Sequence, residues 1–329
     1  MNKFLSRAFN FVSDVSVVVG SAVGVGLISG KETQVFTQTV PNILIFAVVY
    51  AFVVSKYREF CRKNAVSSTA HLAQVCFGKF SVAFNFALCL CAFVCIVTCL
   101  AGVEQCLSSI LYLSALPLYA VCVAFCAAIV MAKGFSALKI CNVVSLAMTV
   151  VLFVLMVLSY KPSASATAAP QLYMPVIYAL FNFTMSLSLT CKLGAKSCKR
   201  QNVIRSVISA VIIAVAIIVT TFIADFSAPL PALVNLNGFT KFFAVFTISL
   251  TSMCGIVGCA LPVTELVDGV VGDKTVSSAL VFCFACALSM FGFDFLVKFG
   301  YVFVALIGLI VAIVILLQKH SKRNFNGSL

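Results

Sequence analysis

Charge is what this 329-residue chain lacks: Asp, Glu, Lys and Arg together make up 9% of it, against about 25% in an ordinary globular domain. With 63% hydrophobic residues and a mean hydropathy of +1.17, too little polar surface remains to keep the apolar side chains in water, and a soluble fold is excluded. Histidine is nearly missing, with only His71 and His320. Two imidazoles in a basic loop and a tail offer no metal-ligand spacing and no partner for a nucleophile. No glycine-rich phosphate loop follows a strand, so an enzymatic or ATP-driven role is disfavoured. Long polar stretches are missing too, and residues 1–329 read as one transmembrane domain. Cysteine is abundant at sixteen, but most cysteines lie inside apolar runs, as Cys91, Cys95 and Cys99 do at helical spacing. They read as small, soft packing residues.

What the chain has is apolar runs near twenty residues, each able to cross a hydrocarbon core of roughly 30 Å at about 1.5 Å per residue. Hydropathy and breaker residues predict ten spans, at 11–30, 38–55, 81–102, 110–132, 140–159, 171–190, 203–224, 242–264, 276–293 and 299–317. Between them lie the basic loops "SKYREFCRKN" and "CKLGAKSCKRQN", the low-complexity hairpin "KPSASATAAP" and the connector "DFSAPLPALVNLNG". Lys3 and Arg7 precede the first run, but no small-residue cleavage site follows it, so it reads as a retained span.

Basic residues fix the orientation, because cytoplasmic loops collect them. With the N-terminus inside, ten spans leave only Lys31, Lys161, Lys241 and Lys298 outside, and the other 18 of the 22 basic residues inside. Nine or eleven spans would put a basic terminus outside. The expectation is a multi-pass protein of the cell membrane with both termini cytoplasmic. Its net charge of +13 is then topological, and the partners are the lipid bilayer and a small solute, with no nucleic acid.

The first run, "VVVGSAVGVGLISGKE", carries four glycines. If the helix unwinds near Gly24 and Gly26, peptide groups become free at mid-membrane, where only a ligand, an ion, water or a neighbouring helix can satisfy them. The half-helix that follows would aim its positive end at an anionic group, which suits an amino acid or another small zwitterion. Gly20 with Gly24 and Gly26 with Gly30 also each form a GxxxG, the ordinary signature of close helix packing, and that reading competes. The sixth run, "YALFNFTMSLSLT", sets Asn182, Thr184, Ser186, Ser188 and Thr190 where lipid-like residues belong. Ten spans divide into five and five, and paired interruptions in two halves point to a binding site between inverted repeats. The expected repeats are 11–160 and 171–318.

Acidic residues supply the remaining candidates. Asp14 lies inside span 1, where an ionisable group is a functional candidate by default. Arg7, Asp14 and Ser21 recur every seven residues and share a helix face. Asp14 therefore has four readings: a pair with Arg7, a coupling proton, part of an inner gate, or a side chain that reaches the interface. Arg7 with Glu265 or Asp268 is a second candidate gate pair, and an exposed pair worth ~0–1 kcal/mol breaks easily in each cycle. Glu32 and Glu104 lie near the outer ends of spans 1 and 3, where a vestibule or proton role competes with solvated loop charge.

The segment "VVGSAVGVGLISGKE" resembles the first helix of the amino acid–polyamine–organocation (APC) superfamily, and within it the YkvI-like membrane proteins, with their "GAGFASGQE"-type segment. "AGVEQ", "YALFNFTMS" and "MFGFDFLVKFGYVFVALIGL" follow in the order of that family's third, sixth and last-helix elements. Lys31 stands where Gln is usual, span 6 lacks a glycine, and span 10 lacks an initial proline. The resemblance implies an all-α LeuT-type fold of ten helices in two inverted repeats, with helices 1 and 6 broken. It also implies a substrate site at Gly24, Val25, Gly26, Ser29, Asn182 and Thr184. Ile248, Thr251 and Ser252 would hold a sodium ion, the sole cofactor candidate, although such hydroxyls also commonly bond their own i−4 carbonyls. The expected function is secondary transport of a small amino-acid-like or amine solute by alternating access, coupled to sodium or protons. A germinant-receptor-like subunit that binds without transport, and a helix-packing scaffold, are the rivals.

Overall fold

The computed structural model describes residues 3–28, 32, 39–112, 117–158, 172–195, 197–223 and 238–317. In chain order the helices are α1 (Lys3–Ala22), α2 (Val25–Ile28), α3 (Val40–Lys63), α4 (Thr69–Phe77), α5 (Ser81–Leu111) and α6 (Leu118–Lys133). They continue as α7 (Phe135–Leu158), α8 (Met174–Gly194), α9 (Lys199–Ile223), α10 (Gly238–Val271), α11 (Lys274–Ser289) and α12 (Phe293–Leu317). Among the described residues, seven helical segments are long and apolar enough to cross a membrane, and Ala8–Ala22, Leu118–Lys133 and Lys274–Ser289 are shorter apolar helices. Together they occupy the ten predicted positions.

Side chains close several ends. Ser68 accepts from the His71 N–H at 3.2 Å to start α4, and Asp273 accepts from Thr275 and Val276 at 2.7 and 3.1 Å to start α11. Gly134, at φ +83°, turns α6 into α7 through backbone space that costs a side chain dearly. On α3, Leu44, Val48 and Phe52 form an exposed stripe at i, i+4 and i+8. An apolar outer face of that kind is stable against lipid and unstable against water.

The sixth span corrects an expectation, because α8 runs unbroken from Met174 to Gly194. Two of its polar groups bond their own helix without unwinding it: Asn182 Nδ2 donates to the Tyr178 carbonyl at 2.9 Å, and Thr184 Oγ1 to the Leu180 carbonyl at 2.8 Å, while Asn182 Oδ1 and Thr190 Oγ1 are buried without a partner among the described residues. With no glycine in the run, nothing favours a break. The polar face is explained by burial, since α8 packs against α3, α12, α1 and α10 and is enclosed from Tyr178 to Cys191. A second correction concerns "SKYREFCRKN", which is the last turns of α3 and not a loop. Arg58 is therefore enclosed by protein.

The 34-residue α10 carries Pro262 in its interior. Proline has no N–H, so the Gly258 carbonyl four residues earlier loses its helical donor. Ser188 Oγ of α8 donates to that carbonyl at 2.7 Å. Ser188→Ala is expected to leave the carbonyl unpaired and cost about 1–3 kcal/mol, read as a lower midpoint of thermal unfolding in detergent.

Candidate functional site

The first helix, α1, runs from Lys3 to Ala22 and ends inside the predicted span 11–30. The Val23 N–H still bonds the Val19 carbonyl at 2.7 Å, helical geometry lapses at Val23 and Gly24, and the Ile28 N–H bonds the Gly24 carbonyl at 3.1 Å as α2 begins. The described part of α2 is four residues long, and the rest of the expected second half-helix lies outside the described residues.

The glycines divide between the two readings. At Gly20 a Cβ would run into Asn142 Oδ1 of α7, which is helix packing. At Gly26 a Cβ would run into the Glu32 carboxyl, whereas at Gly24 it would meet nothing within 4 Å. Gly26→Ala is therefore expected to push Glu32 from its position and weaken solute binding, while Gly24→Ala is tolerated. Binding and thermal unfolding of the two purified variants side by side check this.

Glu32 is buried, not solvated. Tyr178 of α8 donates to its Oε2 at 2.5 Å, and Tyr301 of α12 donates to Oε1. Phe181 stacks on Tyr301 with centroids 3.7 Å apart. The clasp borders a small cavity between α1, α2, α5, α8, α10 and α12. Ser21, Gly24, Gly26 and Glu32 form one wall, with Thr98, Phe181, Met185 and Ser252 among the residues opposite. Roughly one water would fill the space.

Of the other expected substrate ligands, Asn182 and Thr184 are buried but do not line this cavity; Thr184 turns to α12, where it also bonds the Val304 carbonyl at 3.3 Å. Ser29 and the side chain of Val25 lie outside the described residues. In the expected ion site, Thr251 Oγ1 donates to its own i−4 carbonyl on Thr247 at 2.7 Å and accepts from Ser145 at 2.9 Å. Ile248 is buried one turn earlier. Ser252 Oγ lines the cavity and, among the described residues, is buried without a hydrogen-bond partner. No group of three His, Cys, Asp or Glu side chains suited to a metal occurs among the described residues.

Asp14 does not reach the interface. Its Oδ1 meets Lys139 Nζ of α7 and its Oδ2 meets Arg205 Nη1 of α9, each at 2.8 Å. The Arg7 side chain lies outside the described residues, while Glu265 meets Lys192 at 3.5 Å and Asp268 is half-buried near the end of α10. Glu104 is buried: its Oε2 accepts from the Ala120 N–H at 3.1 Å in the first turn of α6, and its Oε1 has no hydrogen-bond partner among the described residues. Sequence reasoning missed Tyr178, Tyr301, Lys139, Arg58 and Arg205. A charge inside an apolar helical run was the available signal for Arg205.

No family model and no curated protein matches the chain. Among solved structures it is similar to Mhp1, a nucleobase-cation-symport-1 family transporter in a closed conformation with bromovinylhydantoin bound. That likeness has a TM-score of 0.61 at 14% identity and covers 93% of this chain and 77% of the other. A manganese transporter of Eremococcus coleocola in complex with an aromatic bis-isothiourea substituted compound aligns at a TM-score of 0.44 and 14% identity, over 96% and 72% of the two chains. The fold is thus the all-helical LeuT type.

Proposed function

We propose that this protein is a secondary transporter that moves a small amino-acid-like or amine solute across the cell membrane by alternating access, with both termini cytoplasmic. The observation that carries the reading is the interruption of the first span at Val23 and Gly24 beside a small cavity lined by the Glu32 carboxyl. A helix that serves only as a membrane anchor has no reason to end there. Spans 1, 2, 6 and 7, drawn from both five-helix repeats, 11–160 and 171–318, rock against the remaining spans, as the likeness to the YkvI-like proteins of the APC superfamily implies.

Coupling has two supports. The unpartnered Ser252 hydroxyl faces the broken segment, and the Gly20 carbonyl lies near Gly255 on the same face of α10; together with Thr251 and the Ile248 carbonyl they make an oxygen-rich setting for sodium. Glu32, held by two tyrosine hydroxyls, is the candidate proton carrier. Uptake of labelled amino acids and amines by reconstituted vesicles tests the reading. Accumulation driven by a sodium or proton gradient supports it. Binding without accumulation would make the protein a receptor on a transporter fold.

A further inference from the structure

α9 packs against α1, α3 and α7, and these four helices carry three cations, Arg58, Lys139 and Arg205, and one carboxylate, Asp14. Lys139 and Arg205 already take both oxygens of Asp14. The third cation is Arg58 of α3, which has no exposed surface. Among the described residues its Nε, Nη1 and Nη2 have no hydrogen-bond partner, and neither does Nε of the nine-tenths-buried Arg205.

Contacts trace the corner they share. A Cβ on Gly194 would lie 3.0 Å from the Arg58 Cα, and Asn202 Nδ2 donates to the Gly194 carbonyl at 3.3 Å. Asn202 also donates to the Ser197 carbonyl, while the Ser197 hydroxyl accepts from Arg205, which reaches Asp14. α3 also packs along α9, the helix that carries Arg205. The corner carries three positive charges against one negative, a net of +2.

Among the described residues, no carboxylate other than Asp14 forms an ion pair with Arg58, Lys139 or Arg205. Glu32 is held by its tyrosines, Glu59 by Lys63 at 3.0 Å, Glu104 by α6, Glu265 by Lys192, and Asp273 caps α11. A guanidinium keeps its proton at any ordinary pH, so it cannot escape burial by neutralising itself. A buried charge with no acceptor is among the costlier defects in a fold. Desolvated, unpartnered N–H donors with excess positive charge are instead the environment an anion requires. Full enclosure limits the anion to a small one.

We propose that a small inorganic anion of halide size binds between Arg58 and Arg205 and completes the ionic contact that ties α1 to α7 and α9. This site is separate from the solute cavity and does not depend on the transport reading. The test uses the full-length protein in detergent, with chloride exchanged for gluconate at constant sodium and ionic strength. A saturable upward shift in Tm with chloride, reproduced by bromide and abolished in Arg58→Gln, is the expected result. Should that variant fail to fold, crystals of the unaltered protein grown in bromide decide, through an anomalous peak between the two guanidinium groups. Equal Tm in chloride and gluconate, a chloride response that survives Arg58→Gln, stabilisation by inorganic phosphate but not by halide, or absence of the bromide peak would each overturn it.

Discussion

Glu32→Gln is expected to weaken solute binding by about 10- to 100-fold while the protein still folds. Glutamine keeps the shape of the side chain but replaces one acceptor oxygen with an NH2, so one of the two tyrosine hydroxyls loses its acceptor. A hydrogen bond to a charged group is worth about 1.5–3 kcal/mol. At about 1.4 kcal/mol per decade this gives the stated range. Isothermal binding of the solute found by vesicle screening measures it, with thermal unfolding as the control for folding. The same variant separates the two coupling schemes. If Glu32 carries the proton, proton-driven accumulation disappears while solute exchange across the vesicle membrane persists. If sodium alone drives transport, sodium-driven accumulation survives at reduced affinity.

Asp14→Asn is expected to have a larger effect on stability, about 3–5 kcal/mol, because it breaks a buried ion pair and leaves the partner charge behind. Most of the loss falls on Arg205, which is nine-tenths buried, since the Lys139 side chain keeps some exposure and can shift its ammonium toward solvent. Adding Arg205→Gln to Asp14→Asn removes the stranded charge and is expected to recover part of the loss. Thermal unfolding of the two single variants and the double variant measures the coupling. The contact also ties the half-helix before the break to α7 and α9. Releasing it is expected to make the inner end of α1 more reactive to a thiol probe placed there.

Run length, basic-residue asymmetry and the glycine pattern made the ten helical positions and the interruption in the first span legible from sequence. These signals are local and strong, because a bilayer imposes length and a free peptide group in lipid is prohibitive. The sixth span misled for a related reason. Its hydroxyls and Asn182 look like an interruption when lipid is the assumed neighbour, but with α3, α12, α1 and α10 around it they are the polar groups of an enclosed helix. Arg58 failed in the same way: its place among basic neighbours suggested an interfacial loop, and only the packing of α3 against α8 and α9 encloses it. The tyrosine clasp was out of reach, because Tyr178 and Tyr301 lie 146 and 269 positions from Glu32 and, although both fall in the segments that carry the family resemblance, nothing in the sequence pairs either with Glu32.

The central claim is that the leading helix ends at mid-membrane and leaves a carboxyl-lined chamber for a passenger. A density map of the protein in lipid nanodiscs tests it most directly. The account predicts a chain that leaves helical geometry at Val23 and Gly24, with Glu32 gripped by Tyr178 and Tyr301. An unbroken helix through residues 20–28, with Glu32 turned out to solvent, would contradict it.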